Sequence, residues 1–169
     1  MKFIYEERNE AKLGLRKEKA IELHKNRYTC SQAVACAFCD LVDVDELTMK
    51  DMVRRYSGGA YKVCGAVMGA YVIVNYLNGN INPDNPAEPL KEDLSLLKEI
   101  EKKFKEKNSS VVCKELKGIG TGNVLRSCRG CVEDAAEILE ELIDEKNLLY
   151  WYKRNRNEWI SKNNENKRI

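Results

Sequence analysis

The chain has 169 residues, seven cysteines, one histidine and a formal net charge of +2. At this length about 70% of the unfolded surface is buried on folding, so a core forms without disulfide staples, and the odd cysteine count excludes complete internal pairing. Balanced charge argues against a nucleic-acid surface spread over the whole chain, and a single imidazole, His24, leaves little room for histidine-based catalysis or metal ligation.

The first eight residues, Met1 to Arg8, carry no long apolar run, so no signal peptide is expected. No later stretch approaches the roughly 18 apolar residues of a membrane span. A reducing, cytoplasmic location is the expectation that follows, and there cysteine reads as reactive or metal-binding more readily than as structural. A first helix is expected over Glu7–Lys25, with a sparse stripe of Leu13, Ala20, Ile21 and His24. A second opens at Thr29-Cys30-Ser31-Gln32, which has the form of a capping box, and buries Cys30, Ala33, Val34, Ala37 and Leu41. A third spans Asp45–Tyr56, with Leu47, Met52, Val53 and Tyr56 apolar, and stops at Gly58-Gly59.

The fourth, Val63–Leu77, is apolar nearly all round, which marks the central element. Its Gly65 and Gly69 let another helix come close. All three prolines follow in the 80–89 loop, and a fifth helix carries Leu90, Leu94, Leu97, Ile100 and Phe104 inward. A short helix within Ser109–Lys117, a glycine loop over Gly118–Gly122 and a last helix from Ser127, with Cys131, Ala135, Ile138 and Leu142 on one face, complete the series. No segment alternates with period 2, so the expected fold is all-α: a compact bundle of about six to seven helices around the apolar 63–77 helix.

Residues 1–146 are expected to form one helical domain carrying the cysteines. Residues 147–169 form a basic, aromatic helix or tail, with six basic residues against two acidic ones from Tyr150 onward. Packing on the domain or on a second subunit, as in a homodimer, is the reading preferred over a membrane-surface or nucleic-acid role.

Cys30, Cys64, Cys128 and Cys131 fall at expected helix starts, where unpaired N–H groups and the positive dipole end favour a thiolate. Cysteine is also a small hydrophobe that is often buried and inert. Two CxxC spacings occur, Cys36-Ala37-Phe38-Cys39 and Cys128-Arg129-Gly130-Cys131, and neither is followed by the histidine of a c-type haem attachment. At 100° per residue, Cys36 and Cys39 lie roughly 120–180° from Cys30, facing away from the inward stripe. Packing on a second face, or simple exposure, is expected of them. A zinc site built from both pairs stays geometrically open.

Cys30-Ser31-Gln32-Ala33-Val34, Gly58-Gly59, Cys64-Gly65-Ala66-Val67-Met68-Gly69, Cys113 with Leu116, and Cys131 before Ala135-Ala136 follow one another in the chain. This order resembles the C_GCAxxG_C_C family, small, mostly helical proteins of bacteria and archaea described as redox-active, over about residues 26–143. The resemblance implies that the family's four cysteines are Cys30, Cys64, Cys113 and Cys131. Some members carry selenocysteine, related sequences resemble haem-holding split-Soret cytochromes, and Cys36, Cys39 and Cys128 are extra to the pattern.

Two main readings follow. In one, these thiols cycle between thiol and disulfide or pass electrons, with Cys64 as attacking thiolate, Lys62 adding positive charge and an unidentified electron donor or acceptor as partner. In the other, Cys30, Cys64, Cys113 and Cys131 hold an iron–sulfur cluster or another thiolate-bound metal without catalytic activity. A third reading is an accessory domain whose cysteines only pack. No phosphate-binding glycine loop supports a nucleotide enzyme.

Overall fold

The computed structural model describes residues 15–166. Within them lie eight α-helices and no strand: α1 Arg16–Lys25, α2 Cys30–Phe38, α3 Glu46–Val53, α4 Gly65–Leu77, α5 Ser95–Asn108, α6 Cys113–Leu116, α7 Cys128–Glu145 and α8 Leu148–Asn166. The fold is therefore all-α, as the periodicity predicts.

The expected first helix begins, among the described residues, at Arg16; its 7–14 portion, with Leu13, lies outside them. Arg16 is buried and donates to the Ala37 carbonyl at 2.9 Å while pairing with Asp40, which ties α1 to the end of α2. α2 starts with the capping box the sequence predicts. The Gln32 N–H donates to the Thr29 hydroxyl, and the Gln32 side chain accepts the Thr29 N–H at 3.0 Å. From Ser31 to Phe38 the helix is buried on every face, more than its expected stripe. It then tightens into a 3₁₀ turn, Cys39–Val42, that holds Leu41. Asp45 caps α3 by accepting the Thr48 N–H at 2.9 Å. Met49 and Val53 face inward from α3, whereas Leu47, expected among its apolar residues, is exposed.

α4 is the centre. Every residue from Gly65 to Leu77 except Tyr76 is buried, and the helix packs against α2, α5, α7 and α8. Its closest neighbour is α2, and small residues are the reason: a Cβ on Gly69 would stand 2.7 Å from the Ser31 carbonyl oxygen. α2 and α7 also touch one another, so the core sits among α2, α4 and α7.

The expected helix through Leu90 is corrected. Asn80 accepts the Leu90 N–H at 3.1 Å and the Lys91 N–H at 2.7 Å, and Ile81 bridges to Pro89. These bonds hold 89–91 outside any helix, so α5 begins at Ser95, and Leu90 and Leu94 are both exposed. Leu97, Ile100 and Phe104 are buried as expected. The proline loop is pinned by the buried Tyr56, whose hydroxyl donates to Asn85 Oδ1 at 2.6 Å and accepts the Ala87 N–H at 3.1 Å.

α7 buries Cys131, Ala135, Ile138 and Leu142 on the face the sequence predicts. α8 lies on α4 and α7 through buried Leu148 and Leu149, and the Tyr152 hydroxyl donates to the Val42 carbonyl at 2.9 Å. No helix among the described residues is long and apolar enough to cross a membrane.

Candidate functional site

Three loops and three helix starts meet at one end of α4. Gly58 and Gly59 sit at φ 67° and 74°, a region glycine enters without steric cost. Ser57 donates to the Thr29 hydroxyl at 2.7 Å, and Ser31 donates to the Val53 carbonyl at 2.9 Å, so the cap of α2 holds this loop in place. The Gly58 N–H then meets the Cys30 sulfur. Gly59 lies flat on Cys113: a Cβ there would be 3.1 Å from Cys113 Cβ and 3.3 Å from its sulfur.

One isolated antiparallel bridge, Val63 to Val112, brings two distant cysteines to the same place. The Cys64 N–H donates to the Val111 carbonyl at 2.7 Å, and the Cys113 N–H donates to the Lys62 carbonyl at 2.8 Å. The β-branched Val63, Val111 and Val112 were the available signal, too short to read as strand. The third arm is α7. Ser127 caps it by accepting the Gly130 N–H at 3.0 Å, and Arg126 folds over Gly130 to pair with Asp134 at 3.0 Å. A Cβ on Gly130 would lie 2.3 Å from the Arg126 Nε.

The result is a cavity of about 20 Å³ lined by Cys30, Cys64, Cys113, Cys128 and Cys131, with Leu116, Lys117 and Arg126 at its sides. Cys64, Cys113 and Cys131 are buried, and Cys30 and Cys128 are half-buried. All are free thiols. The four family-pattern cysteines thus share one cavity, and so does Cys128, which is extra to that pattern. Its place one turn before Cys131 on the same helix was the signal that could have found it.

Helix starts alone do not decide the thiol chemistry. Cys64 is the N-cap residue of α4, ahead of the expected first turn. The Cys131 thiol hydrogen-bonds to its sulfur, the Ala66 and Val67 N–H groups point to it, and Lys117 adds positive charge; against burial, these bring Cys64 down to about 7. Lys117, which the sequence did not single out, is thus a cation that acts on Cys64. Cys131, the donor of that bond, is pushed up by it and by burial. Cys30 begins α2 and Cys113 begins α6, yet burial raises both thiols. The expectation of favoured thiolates at Cys30 and Cys131 is therefore corrected: at Cys30 desolvation outweighs the few N–H groups available, and at Cys131 the interaction with Cys64 comes first, with burial behind it.

Cys36 and Cys39 do not line the cavity. The Cys36 thiol meets the Glu46 carbonyl at 3.7 Å and the Cys39 thiol meets the Cys36 carbonyl at 3.1 Å. Both are buried, so of the two bland alternatives packing holds and exposure does not. Burial lifts Cys36 to about 12 and raises Cys39 as well. A zinc site shared by the two CxxC pairs has no support in this placement. His24 is also apart from the cavity, its Nδ1 buried without a hydrogen-bond partner.

No curated protein and no solved structure matches the chain. A family model described as "Putative redox-active protein (C_GCAxxG_C_C)" matches residues 28–142, the segment that supplies every cysteine of the cavity. With its Cys-Gly-Ala core at Cys64-Gly65-Ala66, and with the match covering most of its length, the chain belongs to the C_GCAxxG_C_C family.

Proposed function

We propose that the cavity is a dithiol–disulfide redox centre in which Cys64 is the nucleophile and Cys131 its resolving partner. The observation that carries this reading is the cavity itself, which brings Cys30, Cys64, Cys113, Cys128 and Cys131 to one place with Cys131 beside Cys64. A volume of about 20 Å³ holds little more than one water molecule. A small oxidant of the hydroperoxide class suits this restricted access. The Cys64 thiolate attacks the terminal peroxide oxygen, the O–O bond breaks, and an alcohol or water leaves with a proton, giving a Cys64 sulfenic acid. Cys131 sulfur then attacks Cys64 sulfur, the S–S bond forms and water leaves. Two thiols are oxidised by two electrons and one peroxide is reduced. Cys30 and Cys113 complete the thiol lining, and Lys117 steadies the thiolate.

The competing reading places an iron–sulfur cluster or another thiolate-bound metal on Cys30, Cys64, Cys113 and Cys131. The donors are of the soft kind such groups prefer. Their placement supports it less: among the described residues no three His, Cys, Asp or Glu side chains are grouped so as to hold a metal ion.

The test is purification without oxygen, a metal analysis with an absorption spectrum, and then one equivalent of hydrogen peroxide. A colourless protein that loses two thiols per peroxide, with Cys64→Ser abolishing the loss, supports the redox centre. A coloured protein with stoichiometric iron or another metal, or a Cys64→Ser variant that consumes peroxide as fast as the parent, overturns it.

A further inference from the structure

We infer that Cys128 is the relay thiol of this site, carrying the disulfide from the buried pair to the surface, where an external dithiol reduces it. The inference rests on the reading of the cavity as a dithiol–disulfide centre.

The difficulty it resolves is access. Cys64 is 5% exposed and Cys131 2% exposed. A disulfide between them would lie behind a cavity of about 20 Å³. Thiol–disulfide exchange needs the incoming thiolate to approach one of the two sulfurs directly. A dithiol carried on a peptide or a protein cannot enter that space. Cys128 lines the same cavity but is only half-buried, so it faces both sides. It is the first residue of α7, three before Cys131, and residues so spaced on a helix have Cβ atoms about 5–6 Å apart. A disulfide needs Cβ atoms about 3.5–4.5 Å apart, within a small adjustment of a first helical turn. A charge on the Cys128 sulfur also acts on Cys30, Cys113 and Cys131, which places it among the other thiols.

The steps balance without a further oxidant. The Cys128 thiolate attacks the Cys131 sulfur of the Cys64–Cys131 disulfide. A Cys128–Cys131 bond forms, the Cys64–Cys131 bond breaks, and the electron pair leaves on Cys64. Cys64 is the favoured leaving group because its thiolate is the stabilised one in the cavity. An external thiolate then attacks Cys128, the exposed sulfur of the new disulfide, and Cys131 leaves and takes up a proton. The second thiol of that dithiol attacks its own sulfur in the mixed disulfide and releases Cys128. The external dithiol ends as a disulfide, and the thiols of Cys64, Cys128 and Cys131 are restored.

The experiment uses the full chain, reduced without oxygen and treated with one equivalent of hydrogen peroxide. It is quenched with acid at intervals, alkylated and mapped by mass spectrometry. A Cys64–Cys131 disulfide should appear first and give way to Cys128–Cys131. Cys128→Ser and Cys128→Ala should retain Cys64–Cys131 and be reduced by reduced thioredoxin at least tenfold more slowly than the parent, with a smaller loss towards dithiothreitol. If Cys64–Cys131 forms but Cys128 never enters a disulfide in the parent, or the variants are reduced at the parental rate, the relay is wrong and the redox centre stands. If no disulfide forms among the pocket thiols of the parent, the redox centre fails and the relay with it.

Discussion

The chain contains the CxxC spacing twice, and the two copies have opposite surroundings. Cys36 and Cys39 sit at the end of α2, where the helix is buried on every face and both thiols rest on backbone carbonyls. Cys128 and Cys131 sit at the start of α7, on the edge of a cavity that three other cysteines share. The first pair is buried in the packed core and contributes volume. The second has a half-exposed member, a neighbouring thiolate and the Lys117 charge close by. Two cysteines three apart specify only that their side chains lie on adjacent parts of one helix. Reactivity comes from what the rest of the fold places against them.

The largest expected effect of this difference is kinetic. At pH 7.5 a small alkylating reagent should label Cys64, the partner of the α7 pair, about 100-fold faster than Cys36. A thiol near 12 is thiolate less often than one near 7 by about four decades at this pH, and the greater nucleophilicity of the more basic thiolate returns about half of that. The Cys64 rate should climb about tenfold per pH unit below 7 and level above about pH 8, while that of Cys36 keeps rising. Time-resolved mass spectrometry reads both rates. Equal rates, or faster labelling of Cys36, would break the comparison and remove Cys64 as nucleophile.

Stability should separate the pairs in the reverse sense. Cys36→Ser puts a hydroxyl into a fully buried position and should cost about 1–3 kcal/mol. Cys128→Ser, at a half-exposed site, should stay within about 0.5 kcal/mol. Urea unfolding of the reduced proteins measures both. The cost at Cys36 has a pH signature. Its thiol is raised in the folded chain, so its contribution is whole below about pH 8.5, where the unfolded thiol begins to ionise, and is lost as pH climbs towards 12. The parent should therefore lose more of its urea midpoint between pH 8 and 10 than Cys36→Ser does. A smaller loss in the parent contradicts the assignment.

The smallest effect concerns the residues between the cysteines. Gly130→Ala displaces the flexible end of the Arg126 side chain and weakens its part-buried pair with Asp134. The gain in helix propensity, about 0.5–1 kcal/mol, offsets much of this. A net change within about 0.5 kcal/mol is expected. The same exchange at Gly69 meets the Ser31 backbone and should cost about 1–3 kcal/mol. Thermal unfolding of the two variants sharpens the contrast between a side-chain neighbour that can yield and a backbone neighbour that cannot, and similar losses would remove it.

The sequence by itself determined the helices and which of them is central. Periodicity, the Thr29–Gln32 cap and the uniformly apolar 65–77 stretch are local properties, and local hydrogen bonding and burial act on them directly. The grouping of Cys30, Cys64, Cys113 and Cys131 came from the resemblance of their order to a family pattern, and the cavity they line takes in Cys128 as well. The sequence misplaced the start of α5, because the bonds to Asn80 that keep 89–91 out of the helix join residues about ten apart and leave no periodic trace. Only the tertiary structure decided the thiol chemistry. The Val63–Val112 bridge, the Lys117 charge and the Cys131 bond to Cys64 all join residues far apart in the chain. A thiol's ionisation depends on the water, charges and donors around its sulfur, and these are fixed only when the chain has folded. For the same reason Cys128 and Cys36, alike in the sequence as first members of a CxxC pair, became a mouth thiol and a core thiol.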